Sequence, residues 1–325
     1  LAPFLATAER LCPDAVFLCV DMRRYVEVSE LIMGVLGRLA PVIQQVSIDE
    51  AYLDMTGCEH LYTSVRDIGH AIRRAIRESA GLAASVGIGP NKYIAKLASS
   101  GCKPDGLLVI GEAEVQAFID PLPVSKLWGV GERGSQELAR YGIGTVAELK
   151  TWPQKWMIDK FGKWGALLYR LARGIDDEPV TPEEERQSYA SEGTFDTDIS
   201  DVEVLRRALV HHSGRVARRL RESGMLARTV TLKVKYGDFQ QVTRGRSLPE
   251  PFDDDNTTYS TACAILDELS PAKPVRLIGV CLSGLTGERQ LNLFELHRAA
   301  DADRAMDAIA KKHGARLVVR GRELE

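Results

Sequence analysis

The sequence predicts an α+β chain made of several domains, and three observations lead to this prediction. Over residues 1–112, short apolar segments alternate with amphipathic helical segments, which is typical of strands joined by crossover helices. Over residues 113–178 the pattern becomes helical and is interrupted by glycines. Over residues 189–285 the order is strand, helix, strand, strand, helix, strand. A chain of 325 residues has room for two or three such units.

The first region contains elements of both kinds, each defined by its hydrophobic pattern. Residues 23–39 carry apolar side chains at helical spacing, whereas residues 15–20 are a short apolar run typical of a strand. Two further apolar segments meet at the pair Asp49-Glu50 and predict two strands. The complete prediction for this region is strands at 15–20, 45–48, 51–55, 84–88 and 106–110, with helices at 23–39, 64–79 and 91–100.

The helical region contains a run from Gly129 to Gly134 that fits the pattern G-x-G-x-x-G. A dinucleotide site with this pattern requires a strand directly before the glycines. Here residues 124–128 have helical spacing after a proline, and a second helix is predicted at 135–141. Helix, glycine hairpin and helix form the helix-hairpin-helix arrangement. In it, close-packed backbone amides contact a DNA phosphate without reading the base sequence.

A linker and a third domain follow. Residues 179–188 have the composition of a linker, because Pro179–Gln187 contains two prolines and three consecutive acids. The order strand, helix, strand, strand, helix, strand is a split-βαβ layout. Its predicted strands are 189–195, 229–236, 241–247 and 275–282, and its predicted helices are 202–223 and 257–269. Residues 286–325 form a tail, in which 301–313 is predicted to be helical and 315–319 to be a strand.

The composition excludes some functional classes. No apolar run approaches the roughly 18 residues that span a membrane, and the first residues do not have the pattern of a signal peptide. The six cysteines form no C-x-x-C pair and have no spaced histidine partner for zinc. We therefore expect free thiols, no membrane association and a cytoplasmic location.

Charge is distributed unevenly. The formal net charge of −3 argues against a protein that coats nucleic acid with its whole surface. Residues 202–250, however, contain eleven basic side chains against four acidic ones, a local surplus of seven. This basic block is a candidate phosphate-binding face, and an ordinary solvated surface explains the count equally well.

Two segments of the first region contain candidate catalytic residues. Asp49 and Glu50 lie between two apolar strands, and a divalent cation such as Mg²⁺ would neutralise these adjacent carboxylates. A solvated acidic turn is the simpler alternative, and Asp54 is either a third acid nearby or a structural partner. In the second segment, Lys92, Lys96 and Lys103 are candidates to face a polyphosphate, and an ordinary solvated surface lysine is the alternative for each. Lys103 is positioned best, because the turn Lys-Pro-Asp-Gly restricts its backbone.

A last motif lies in the tail. Gln290, Leu291, Leu293 and Phe294 follow the polar turn 286–289, and such a peptide can anchor in an apolar pocket of a partner. Taken alone, the segment is better explained as packing on its own domain.

Together these segments resemble the Y-family DNA polymerases of the DinB, or DNA polymerase IV-like, type, in their order and spacing. The resemblance covers nearly the whole chain up to Phe294. The similar segments are S-I-D-E-A-Y-L-D and G-I-G-P-N-K-Y-I-A-K-L-A-S, C-K-P-D-G, L-W-G-V-G-E-R-G, T-R-G-R-S-L, and Q-L-N-L-F, which resembles a motif that binds the bacterial sliding clamp.

The resemblance implies a right-hand polymerase fold and a division of the chain. Residues 1–112 would contain a fingers remnant and the palm, and residues 113–178 a helix-hairpin-helix thumb. After the linker at 179–188, residues 189–285 would form the little finger domain, and residues 286–325 the clamp-binding motif and tail. The implied function is error-prone translesion DNA synthesis in DNA damage tolerance, by a monomer that binds primer-template DNA, dNTP and the sliding clamp.

The resemblance also implies roles for individual residues. Two Mg²⁺ ions would activate the primer 3′-hydroxyl and steady the leaving pyrophosphate. Asp49 would ligate metal, and Glu50 would help to bind or orient the metal nearest the 3′-hydroxyl. The other implied contacts are the incoming triphosphate for Lys103 and Lys92, a DNA phosphate for Gly129 and Gly131, the template backbone for Arg244 and Arg246, and the clamp for Gln290, Leu291, Leu293 and Phe294.

At its start the sequence departs from the family pattern. Residues 1–14 resemble only the end of the fingers, so the strand with the family's Asp-x-Asp metal motif has no counterpart in this sequence. We therefore expect this chain to be impaired as a polymerase when it acts alone. A non-catalytic adaptor that binds DNA and the clamp is the alternative, and the presence of Asp49, Glu50 and Lys103 argues against it.

Overall fold

The computed structural model describes residues 2–182 and 186–287 together with residues 303, 305–309 and 312, and of residues 2–6 and 59 it describes only the backbone. These residues belong to two compact units, Leu1–Glu184 and Glu185–Glu325. The finer division into five parts stays a prediction.

The first unit begins with alternating helices and strands and continues with helices alone. Single turns of 3₁₀-helix lie at Glu59–Leu61, Glu112–Glu114 and Val124–Lys126. The other elements are α1 (Ala2–Leu11), α2 (Met22–Leu36), β1 (Val42–Gln45), β2 (Ala51–Asp54), α3 (Val65–Ala80), β3 (Val86–Ile88), α4 (Lys92–Gly101), β4 (Leu107–Val109), α5 (Val115–Ile119), α6 (Glu132–Ala139), α7 (Val146–Lys150) and α8 (Gln154–Leu171).

The strand predicted at 15–20 is wrong. The segment has no regular structure, and its apolar side chains are exposed: Val16 and Leu18 each have 83% of their surface accessible. No strand within the described ranges pairs with it. A strand needs such a partner because its backbone N–H and C=O groups must be hydrogen-bonded.

β1 and β2 form an antiparallel hairpin in which Gln45 lies opposite Ala51. The strand predicted at 45–48 therefore lies three residues too late in the sequence. Residues 46–50 form the turn instead, because the N–H groups of Val46 and Ser47 donate to the carbonyl oxygen of Glu50 at 2.9 and 3.2 Å. The turn thus contains both Asp49 and Glu50.

β3 and β4 are parallel and are joined by the crossover helix α4, as predicted. Asn91 begins the helix, since its side chain accepts a hydrogen bond from the Ile94 N–H. Gly87 allows α4 to lie directly on β3: a Cβ atom at this position would come within 2.1 Å of the backbone nitrogen of Ser99. The close packing fixes which face of α4 points towards the hairpin.

The glycine hairpin also differs in detail from its prediction. The helix before the glycines is a single 3₁₀ turn, because Leu127 is already extended with ψ of 142°. α6 begins at Glu132, three residues earlier than predicted. Between them Gly129 has φ of +75°, a conformation that favours glycine.

Over residues 186–287, the second unit is a four-stranded sheet with two helices on one face. Its elements are β5 (Ser188–Ile199), α9 (Val202–Glu222), β6 (Ala227–Tyr236), β7 (Gln241–Phe252), α10 (Asp255–Leu269) and β8 (Val275–Ser283). The strand order is β5-β8-β6-β7, and all neighbours are antiparallel. β5 and β6 are thus parallel strands separated by β8, which confirms the split-βαβ prediction.

Burial on β6 alternates with a period of two. Val230, Leu232, Val234 and Tyr236 are buried in the core under α9 and α10. The residues between them lie on the opposite face, which is partly exposed. In the described part of the chain, no helix is both long enough and apolar enough to cross a membrane.

Candidate active site and nucleic-acid contacts

The turn between β1 and β2 contains both predicted metal-binding carboxylates. The hydroxyl of Ser47 donates to Asp49 Oδ1 at 2.5 Å and accepts from the Asp49 N–H at 3.2 Å. Asp49 is exposed and Glu50 is half-buried. Two adjacent carboxylates repel each other, so this arrangement favours a positive charge nearby.

Helix α4 supplies two positive charges. Lys92 and Lys96 lie one helical turn apart on the face towards the hairpin. Lys96 Nζ forms an ion pair with Glu50 Oε1. Lys92 Nζ donates to Gln44 Oε1 at 3.1 Å and lies 5.8 Å from the centre of the Tyr52 ring. The structure therefore brings both lysines to the hairpin that carries the two acids.

Two further titratable groups lie on β2. Burial raises the pKa of the Tyr52 hydroxyl to about 12, and the charges of Glu50 and Asp176 act in the same direction, so Tyr52 stays neutral. Hydrogen bonds from the side chain and backbone of Thr56 lower the pKa of Asp54. Asp54 Oδ1 accepts from the Thr56 N–H at 2.9 Å. Asp54 is therefore a structural partner at the end of β2.

The donor atoms at the turn suit a hard cation. Mg²⁺ takes one or two carboxylates and completes its shell with water and substrate phosphates. Within the described residues, no group of three or more His, Cys, Asp or Glu side chains could hold an ion. Asp49 and Glu50 therefore fit a metal that is shared with a phosphate-bearing substrate.

Lys103 lies in the exposed turn between α4 and β4, at the opposite end of α4 from Lys92. Asp105 fixes this turn, because its carboxylate accepts from Arg73 at 2.9 Å and from Arg77 at 2.5 Å. The same bonds, that from Arg73 first, lower the pKa of Asp105. In the part of the chain described, no hydrogen bond or ion pair joins Lys103 to the hairpin. Sequence analysis missed both arginines, since only the turn residues themselves carried a signal.

The glycine hairpin exposes backbone donors. The carbonyl oxygen of Gly129 accepts from Trp164 Nε1 at 3.1 Å, which holds the hairpin against α8. Gly131 immediately precedes α6, so its N–H group and those of the first helical residues have no partner within the helix. Both glycines are exposed. Such amides at the start of a helix suit a phosphate.

Arg244 and Arg246 lie on β7, an edge strand of the second unit. They are opposite Leu232 and Val230, so they point to the sheet face that the helices cover. Because β7 lies at the edge of the sheet, their guanidinium groups remain accessible, and Arg246 Nη2 pairs with Glu268 of α10 at 2.5 Å. The register thus places both arginines beside the helices and not on the open face.

Much of the basic block is already paired within the second unit. Arg206 binds Glu203 and Asp267, and Lys233 binds Glu192. Arg218 and Arg221 bind Asp307. The charge surplus of residues 202–250 therefore overstates the charge that is available to a phosphate. The candidate clamp-binding residues lie outside the described residues: Gln290, Leu291, Leu293 and Phe294.

Three family models match the chain. The impB/mucB/samB family matches residues 4–100, the IMS family HHH motif matches residues 112–143, and the impB/mucB/samB family C-terminal domain matches residues 186–293. The middle match agrees with the helix-hairpin-helix geometry around Gly129.

Known proteins resemble the chain over most of their length. DNA polymerase IV of Desulfatibacillum aliphaticivorans is 39% identical, over 97% of this chain and 81% of the relative. DNA polymerase IV of Moorella thermoacetica is 37% identical, over 96% and 80%. The chain belongs to the Y-family DNA polymerases. Among solved structures, a Y-family polymerase chimera of Dbh and Dpo4 superposes with a TM-score of 0.76 at 26% identity, covering 87% of this chain and 82% of that one.

The membership confirms the expected DinB-like, α+β Y-family polymerase and its function in translesion DNA synthesis. The adaptor alternative is not favoured, because the relatives are DNA polymerases. As a nucleotidyltransferase, a Y-family polymerase requires a divalent metal and binds DNA and dNTP. A Dbh ternary complex also resembles this Y-family chain, with a TM-score of 0.57 at 26% identity.

Proposed function

We propose that the turn between β1 and β2 is the catalytic centre of this polymerase, with Asp49 and Glu50 as ligands of Mg²⁺. The observation that carries the proposal is the juxtaposition of two adjacent carboxylates with the lysine face of α4. The carboxylates suit a divalent cation, and the lysines suit the triphosphate of a substrate that shares this cation. When bound, Mg²⁺ would activate the primer 3′-hydroxyl and neutralise charge on the leaving pyrophosphate.

The surrounding residues bind and orient the substrates in this proposal. Lys92 binds the incoming triphosphate from the face of α4, and Lys103 binds it from the turn that Asp105 holds in place. Neutral Tyr52 adds no charge beside Lys92. Because base pairing with the template selects the nucleotide, the lysines contribute binding and not base selection.

The DNA contacts in the proposal are contacts to phosphates. The exposed amides next to Gly129 and Gly131 bind one phosphate of the DNA without regard to base sequence. Arg244 and Arg246 bind the template backbone from the edge of the second unit's sheet. Their contribution to binding should decrease as salt concentration rises, since phosphate contacts release counterions.

The proposal extends to the partner and the location. Gln290, Leu291, Leu293 and Phe294 bind the bacterial sliding clamp, which the sequence Q-L-N-L-F supports. The protein works as a monomer in the cytoplasm. The absence of a C-x-x-C pair from the sequence is consistent with a reducing compartment.

An experiment on two aspartates of the hairpin tests the catalytic assignment. Asp49→Asn should lower single-turnover dNTP incorporation by roughly 100-fold or more, because it removes a charge that acts in the transition state. The same variant should lose a Mn²⁺ site that electron paramagnetic resonance detects in the wild type. Asp54→Asn is the matched control, since Asp54 is engaged with Thr56, and it should keep the Mn²⁺ site. A wild-type incorporation rate and an intact Mn²⁺ site in Asp49→Asn would contradict the assignment.

A further inference from the structure

The ion pair between Lys96 and Glu50 joins α4 to the proposed catalytic turn. Lys96 Nζ contacts Glu50 Oε1, one of the oxygens that a metal at this turn would use. The side chains remain 31% and 38% exposed. Water therefore reaches both groups, and the pair can open without burying an uncompensated charge.

The turn keeps its shape without this ion pair. Val46 and Ser47 donate their N–H groups to the Glu50 carbonyl, and the Ser47 hydroxyl donates to Asp49. The side chain of Gln45 adds a bond to the Ser47 carbonyl oxygen at 3.0 Å. The ammonium of Lys96 thus acts on the charge of Glu50 and not on the backbone that carries it.

An ammonium and a divalent cation on the same carboxylate repel each other, so each weakens the binding of the other to Glu50. A lysine ammonium is a compact single charge on a flexible four-carbon side chain, so it can move aside and remain nearby. Its departure leaves both oxygens of Glu50 free for the stronger charge. The two cations therefore compete for Glu50.

We propose that Lys96 is a positioning residue that holds Glu50 as its counter-ion and releases it to the incoming metal. The proposal rests on the proposed metal site at Asp49 and Glu50. Lys96 keeps two adjacent carboxylates compatible with a folded turn, and it sets the concentration of metal at which the site fills. After exchange, its charge stays on the α4 face that also carries Lys92, next to the place proposed for the triphosphate.

Metal titration without DNA tests this proposal. Mn²⁺ binding is measured by electron paramagnetic resonance at fixed ionic strength for the wild type and for Lys96→Met. An exposed ion pair contributes up to about 1 kcal/mol, so the variant should bind Mn²⁺ about three- to five-fold more tightly. Damage to the turn would lower the Mn²⁺ affinity instead, because a misplaced Glu50 would bind metal more weakly.

Two matched variants make the test specific. Lys92→Met removes the same charge one turn away, from a lysine that binds Gln44 and, within the described residues, no carboxylate, and should change the affinity less than about two-fold. Lys96→Arg keeps the charge and should bind Mn²⁺ no more tightly than the wild type, because a guanidinium holds a carboxylate at least as firmly as an ammonium does. Circular dichroism confirms that each variant is folded.

The outcomes separate this inference from the proposed function. Equal affinity in Lys96→Met and the wild type overturns the exchange alone, provided that Asp49→Asn still abolishes binding. An equal increase in Mn²⁺ affinity in Lys96→Met and Lys92→Met also overturns the exchange, since that result would reflect net charge only. If Asp49→Asn leaves Mn²⁺ binding intact, both the metal site and the exchange are wrong.

Discussion

Each unit of the molecule contains a group of paired charges, and the two groups differ in exposure. In the first unit, Lys96 and Glu50 keep roughly a third of their side-chain surface accessible, at 31% and 38%. In the second unit, the side chain of Arg221 is 7% exposed and contacts Asp303, which is 2% exposed. Solvent access therefore separates an ion pair that can exchange its partner from one that holds the fold.

The buried group connects distant parts of the second unit. Arg221 donates to the Asp253 carbonyl at 2.7 Å, to Asp255 at 2.9 Å and to Asp307 at 2.6 Å. Burial tends to raise the pKa of Asp307, but its bonds to Arg221 and Arg218 lower the pKa overall. The group therefore stays ionised and fixes the helical residues 305–309 to α9, which agrees with the helix predicted at 301–313 where the structure describes it.

Replacing the buried cation should have the largest effect on stability. Arg221→Met leaves several acids without their cation, and breaking such a buried group costs about 3–5 kcal/mol in the free energy of unfolding. Lys96→Met, from the exposed group, should cost no more than about 1 kcal/mol. Urea denaturation followed by circular dichroism measures both. Similar losses of unfolding free energy in the two variants would show that exposure does not determine how much each group of paired charges stabilises the fold.

α9 also contains a buried histidine, His212, which is neutral where Arg221 is charged. His212 Nδ1 lies 2.9 Å from the Ser191 hydroxyl. Burial first, and then the charges of His211 and Arg215, lower the pKa of His212 to about 4. Burial alone therefore does not decide the charge state, since Arg221 has acids within hydrogen-bond distance.

This histidine should make the second unit sensitive to acid. In the unfolded chain a histidine titrates near 6.5, so protons favour the unfolded state between about pH 6.5 and 4. The contribution of neutral His212 to the free energy of unfolding is fully present above this window, and about 3 kcal/mol of it is lost as the pH falls through the window. Urea denaturation at pH 7 and pH 4.5 should show the loss in the wild type and a smaller one in His212→Asn. Equal losses would assign the acid sensitivity to other groups.

The sequence predicted what depends on local pattern. The hydrophobic spacing of α9 and β6 and the glycine pattern around Gly129 are local signals, and they identified the order of the elements correctly. The segment 15–20 failed because a strand depends on a partner elsewhere in the chain, which no local pattern reports.

The pairings within the sites could not be predicted, because they depend on packing between distant residues. Lys96 meets Glu50 across 46 residues, on a helix that packs closely on β3 at Gly87. Arg221 was counted as a candidate phosphate contact, although Asp307, 86 residues later, binds it. A charge count cannot distinguish an available arginine from one already neutralised by its own domain.

The smallest expected effect concerns an exposed pair in the second unit, which extends the comparison to the surface. Arg246 pairs with Glu268, whose side chain is 68% exposed, so Glu268→Gln should change the free energy of unfolding by less than about 0.5 kcal/mol. If Arg246 contacts a DNA phosphate, the released guanidinium should strengthen DNA binding at low salt, and the slope of log affinity against log salt should steepen by up to about one. Fluorescence anisotropy across a salt series measures the DNA affinity and its salt slope.

Glu250→Gln is the matched control, because it removes the same charge from an exposed position on β7 without releasing Arg246. Equal changes in the two variants would mean that net charge, and not Arg246, governs the contact, whereas a larger change in Glu268→Gln would show that an exposed pair, unlike the buried one, can exchange a carboxylate for a ligand.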